Sequence, residues 1–165
     1  MNKEEIIQRL KELDESIAKL QKEKMELNPF ANLKSMANKA FGEWSEEYVV
    51  SKVKNIVIRH GVGKDLYSEK LGRIEVKSTR SVKGITFNQI KPDYSDYHLF
   101  VIYDIDNIDT ILYLVPNKLF NSELSISKQH NYDGDGNCYT MRDTKNNLHI
   151  LEQYKISWEE LDAKA

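Results

Sequence analysis

From Asp65 to Arg80 the chain reads Asp-Leu-Tyr-Ser-Glu-Lys-Leu-Gly-Arg-Ile-Glu-Val-Lys-Ser-Thr-Arg, and its second half alternates apolar and charged residues. Side chains two apart on a strand share a face. Glu75 and Lys77 therefore lie on one side of a strand, and Ile74 and Val76 lie on the other, toward a core. Leu71-Gly72 supplies a turn after an earlier strand, and pairing the two strands through it brings Asp65 to the same edge. Two carboxylates and one ammonium would then share a small space.

Those residue types suit a divalent cation. Mg²⁺ takes oxygen ligands, keeps several waters, and is commonly held by one or two carboxylates together with substrate phosphates. Such a site serves phosphodiester hydrolysis by activating a water and clamping the attacking and leaving oxygens. A lysine beside it offsets charge building on phosphoryl oxygens. The bland alternative is a solvated hairpin face with ordinary charge pairs.

Asp65, followed ten residues later by Glu75-Val76-Lys77 across a hairpin, resembles the PD-(D/E)xK nuclease superfamily, and most of all the type II restriction endonucleases. The resemblance implies an α/β (α+β) fold, a restriction-endonuclease-like mixed β-sheet flanked by helices. It also implies that Asp65 and Glu75 bind Mg²⁺, with Mn²⁺ able to substitute, and that Lys77 assists hydrolysis. Lys64 stands where the family often has proline. Gly42-Glu43-Trp44-Ser45-Glu46 resembles the family's first-helix segment, which assigns Glu46 to the metal site, with Glu47 as the alternative. A plain preference of Glu43, Glu46 and Glu47 for a helix start is the competing account. Gln89, on the strand after Lys77, matches a glutamine that helps to order the site in several groups of the family.

A net charge of −2 does not mark a nucleic-acid binder, but its distribution is uneven. Between Lys64 and Lys91 seven basic residues stand against three acids, an excess of four positive charges. Lys64, Arg73, Arg80, Lys83 and Lys91 are accordingly the candidate contacts to DNA phosphates. A single cysteine, Cys138, permits no internal disulfide and fits a reducing compartment. No secretory signal and no run of membrane-span length is visible, so a cytoplasmic location is expected.

Ile6, Leu10, Leu13, Ile17, Leu20, Lys24 and Leu27 recur at alternating steps of four and three, without Gly or Pro between them. That is a heptad seam interrupted by one lysine. Residues 1–28 form a coiled-coil dimerisation helix on this reading, or else an amphipathic helix laid on its own domain. Residues 29–165 form the nuclease-like domain. Asn28-Pro29 should end the first helix, and a stronger helix should run from Glu43 to Ile58. A His60–Gly63 loop follows.

Residues 85–90 read as the third strand of a meander, 97–103 as a buried central strand, and 110–115 as another strand before a short helical segment ending near Phe120. Asp133–Asn137 fails as an EF-hand loop, because its required glycine place is Cys138, and reads better as a hairpin turn. Tyr139–Met141 and Leu148–Leu151 look like short strands. Ser157 and Glu160 form a capping box for a final helix.

The chain is thus expected to be a Mg²⁺-dependent endonuclease acting on double-stranded DNA as a homodimer or higher homo-oligomer. A structure-specific or repair nuclease of the same fold, or a non-catalytic dimeric DNA-binding protein, is the alternative.

Overall fold

Asn2 begins the first helix because its side chain accepts from Glu5 N at 2.9 Å while Glu5 Oε2 accepts from Asn2 N at 2.8 Å. This capping box satisfies donors that a helix start leaves free. The computed structural model describes residues 2–61, 63–129 and 138–165, with the backbone alone at 60, 61 and 63–65. Helix α1 (Lys3–Leu27) ends at Asn28 as expected. Asn28 then pins it to the domain, donating to Ile105 O at 3.0 Å and accepting from Phe30 N at 2.9 Å. No residue of α1 is buried. Ile6, Leu13 and Leu20 remain 43%, 43% and 64% exposed, so the apolar seam is not laid against its own domain.

A short 3₁₀ turn (Leu33–Ser35) leads into α2 (Asn38–Lys52). The expected helix over 43–58 is corrected here: α2 starts ahead of Gly42, stops at Lys52, and gives way to strand β1 (Val57–Gly61). Ile56, Val57 and Ile58 are β-branched, and such residues pack better on a pleated surface than in a helical turn. Strand β2 (Gly63–Ser68) pairs antiparallel with β1, so His60, Gly61 and Gly63, expected in a loop, are strand residues.

Strand β3 (Gly72–Thr79) returns antiparallel to β2 through Gly72, whose φ is +75°. A Cβ there would come within 2.3 Å of Asp96 Oδ2, and the same oxygen accepts from Arg73 N at 2.8 Å. Only glycine fits both demands. Strand β4 is Thr86–Ile90, and β5 (Tyr97–Asp104) then runs parallel to β3. Strand β6 (Asp109–Pro116) pairs antiparallel with β5. After a 3₁₀ turn (Asn117–Asn121) come β7 (Ile126–Lys128), β8 (Tyr139–Arg142), α3 (Lys145–Glu152), β9 (Lys155–Ile156) and α4 (Trp158–Lys164).

The larger sheet has the order β1-β2-β3-β5-β6-β9, and a smaller one has the order β4-β8-β7. The expected meander, with residues 85–90 as its third strand, is corrected here: β1, β2 and β3 form it, and β4 pairs with β8 in the smaller sheet. Residues 148–151 are helical and not a strand: Thr144 caps α3, and buried Asn147 holds it to Arg142 O and Ser125 O at 2.9 Å each. The Ser157–Glu160 capping box of α4 is present as expected. The Asp133–Asn137 turn lies outside the described residues.

Strand β5 is buried on both faces. Leu99, Val101 and Tyr103 join a core with Phe41 and Val49 of α2 and Leu161 of α4, while Phe100 and Ile102 join a second core with Phe87 of β4, Val115 and Met141. The Tyr103 hydroxyl is 2.8 Å from Ser45 Oγ, both buried. Burial pushes its pKa well above that of a free phenol, against the opposing bond from Ser45. The fold is thus mixed α+β. Among the described residues no helix is long and apolar enough to cross a membrane.

Candidate active site

The β2–β3 ladder pairs Ser68 with Gly72, Tyr67 with Arg73 and Leu66 with Ile74. The ladder ends there: Asp65, which precedes Leu66, pairs with Arg59 of β1, and Glu75, which follows Ile74, pairs with His98 of β5. Leu66 and Ile74 are both buried in the first core, and opposed strand residues share a face, so Glu75 belongs to the other face. The side chain of Asp65 lies outside the described residues. Beyond Ile74, among the described residues, β3 has a strand neighbour on the β5 side only.

On that stretch the Lys77 ammonium lies 2.6 Å from Glu75 Oε1, and the two side chains are only 17% and 13% exposed. Glu75 Oε2 lies 2.9 Å from Nε2 of His98, a wholly buried residue on β5. The parallel register sets Glu75 directly beside His98. The separation is that of a charge-assisted hydrogen bond, but the ring N–H is not aligned on the oxygen, and neither atom makes another hydrogen bond. Burial by itself would raise the Glu75 carboxyl. His98 and then Lys77 outweigh that and hold it below the usual 4.5. Glu75 is therefore an anion fixed from two sides.

Along the open edge of β3 runs a cleft of about 570 Å³ between α2 and β4. Glu46 of α2, Lys77 of β3 and Gln89 of β4 all line it, together with Gly42 and Gln129. Three residues singled out from the sequence thus meet at one opening, and Glu75 joins them through Lys77. Glu47 is exposed and does not line the cleft. Gln89 has φ +58°, at an irregularity in the β4–β8 ladder between Phe87 and Ile90. Its N–H donates to Gln129 Oε1 at 3.0 Å, which braces the bulge. Among the described residues no three His, Cys, Asp or Glu side chains gather closely enough to hold a metal ion. The expected ligand set depends on Asp65.

No protein-family model matches this chain. No curated protein matches it either.

The candidate phosphate contacts separate into different settings. Arg80 is spent inside the fold: its guanidinium donates to Leu33 O, to Met36 O at 2.6 Å and to Asn38 Oδ1 at 2.7 Å, and lies 4.6 Å from the centre of the Phe41 ring. It braces the start of α2 against β3. Arg73 donates to Tyr94 O at 3.1 Å and lies over the Tyr94 ring at 4.8 Å, with Lys91 5.4 Å from the same ring. Lys83 is exposed in the turn after β3. The Lys64 side chain is outside the described residues.

His98 is the residue that the sequence reading missed. It stands in a run of buried apolar residues, and its only local signal is its polarity. The β3–β5 register, which brings it to Glu75 from 23 positions away in the chain, is a tertiary choice.

Proposed function

We propose that this chain is a Mg²⁺-dependent endodeoxyribonuclease of the restriction-endonuclease-like type, acting on double-stranded DNA as a homodimer. The observation that carries the reading is the buried Glu75–Lys77 pair at 2.6 Å on a strand edge that opens into a cleft. Carboxylate oxygens are the donors a hard cation takes. Glu75 turns Oε2 to buried His98 and Oε1 to Lys77, so a cation would be taken on the Oε1 side.

Asp65 and Glu75 would hold the cation, with Glu46 reaching from the α2 wall. When bound, the cation would polarise a phosphoryl oxygen and lower the pKa of a water. Lys77 is anchored by Glu75 at the lip of the cleft, so its ammonium meets the phosphate already oriented and offsets the negative charge of the transition state. Gln89, set on the opposite wall by its bulge, offers amide donors and an acceptor to a water or a backbone oxygen. The exposed seam of α1 takes a second copy of the chain, which would give two cleavage centres for two strands.

A non-catalytic dimeric DNA-binding protein is the second reading. It is favoured by the uncovered seam of α1. The test incubates supercoiled and linear DNA with the protein plus Mg²⁺ or Mn²⁺, beside Lys77→Ala and an EDTA control. Cleavage lost in both controls supports the nuclease, with fixed fragments marking sequence specificity and unfixed nicking marking a structure-specific or repair enzyme. DNA retention without cleavage under either metal overturns it in favour of the binding protein.

A further inference from the structure

We propose that His98, fixed by Ser95, is a positioning residue for Glu75: it sets the carboxylate in the one orientation from which it can both anchor Lys77 and hold a divalent cation. The inference rests on the metal-dependent nuclease reading, and it assigns a role to a residue that reading does not use.

A buried imidazole among apolar neighbours is costly unless its polar atoms are engaged. Both nitrogens of His98 have something to face. Nδ1 is 3.3 Å from Ser95 Oγ and Nε2 is 2.9 Å from Glu75 Oε2. The carboxylate can only accept, so Nε2 must carry the hydrogen that faces it. In the neutral ring Nδ1 then accepts the Ser95 hydroxyl proton, so the carboxylate sets the tautomer and Ser95 holds the far side of the ring. Rotation of the ring is blocked, because Phe120 meets it edge-on at 4.6 Å and Phe100 lies nearly parallel at 6.1 Å. Ser95 is itself buried.

Complete burial denies His98 any contact with DNA, so its effect passes through Glu75. The off-line N–H fits a bond that tightens when the carboxylate takes up its load, since catalytic hydrogen bonds are often poorly aligned before the complex forms. Partners of this kind, one bond behind a ligand, orient it and raise its affinity for metal, and their loss typically costs about 10- to 100-fold in metal binding or activity.

The test is calorimetric titration of the full chain with Mn²⁺ alone, beside Mg²⁺ titrations of DNA cleavage. His98→Leu fills the space but removes the donor, and His98→Gln returns a donor at about the depth of Nε2. Expected is a Mn²⁺ affinity reduced by about 10- to 100-fold in His98→Leu and largely recovered in His98→Gln. In cleavage the loss should appear as a higher Mg²⁺ half-saturation, with turnover restored at saturating Mg²⁺. Ser95→Ala, which leaves the core intact, should weaken Mn²⁺ binding in the same direction, and it decides the matter if His98→Leu does not fold. Wild-type Mn²⁺ affinity in folded His98→Leu, or in Ser95→Ala when His98→Leu is unfolded, overturns the positioning role while leaving the nuclease intact. No Mn²⁺ binding by the wild-type chain overturns the nuclease reading and this inference together.

Discussion

Lys77 and Glu75 face each other at 2.6 Å from positions two apart on β3, and both are more than four-fifths buried. Neighbours at that spacing on an exposed strand would be screened by water and worth little. Here the surroundings are drier and His98 holds the far oxygen of the carboxylate, so the pair is a fixed element of the cleft wall.

An acid limb in stability follows from this arrangement. The folded Glu75 carboxyl lies below its usual 4.5, so the unfolded chain binds its proton first as pH falls. The stabilisation is fully present at neutral pH and is lost as pH drops from about 4.5 through the lowered folded value. Urea unfolding between pH 3 and 7 should show a steeper decline below pH 5 in the wild type than in Glu75→Gln. Parallel declines would mean that other carboxyls carry the acid limb.

Arg80 should matter to the fold before it matters to any ligand. Arg80→Ala leaves Leu33 O and Met36 O without their donor, and hydrogen bonds to charged groups are worth about 1.5–3 kcal/mol. A loss of about 2–3 kcal/mol is expected in chemical denaturation. Arg80→Lys should recover little, because a single ammonium nitrogen lacks the planar fork that reaches acceptors from two nitrogens and lies over Phe41. A variant of unchanged stability would return Arg80 to the phosphate contacts.

The seam of α1 should govern assembly and nothing else. Leu13→Asp with Leu20→Asp places charge in the middle of the heptads, yet no α1 residue is buried against the domain. Sedimentation should report half the wild-type mass, with an unchanged unfolding midpoint for the domain. An unaltered mass would show that the seam is not the contact between copies.

Gly42 offers a test of the cleft itself. It lies within α2 and lines the opening, and a Cβ on it would meet nothing within 4 Å. Gly42→Ala should therefore stabilise the protein by about 0.5–1 kcal/mol, the usual cost of glycine in a helix. Gly42→Trp should leave the fold standing but fill the mouth and depress DNA cleavage. Full cleavage by the tryptophan variant would move the substrate path elsewhere.

What the sequence determined by itself is local. The heptad seam and Asn2 cap specify α1, Ser157 and Glu160 start α4, and the alternation through Ile74–Lys77 sorts one strand into a core face and a charged face, because each of these depends only on residues within a turn or two. Short apolar runs were ambiguous for the same reason: Ile56–Ile58 fits a helical stripe or a strand, and Leu148–Leu151 fits a strand or a helix, until a partner decides. Only the tertiary structure could decide that β4 leaves the main sheet, that Arg80 turns inward to the carbonyls before α2, and that β5 sets His98 beside Glu75. Periodicity fixes which face a side chain takes, but pairing and register are chosen by contacts between distant segments, and the candidate site is made of such contacts.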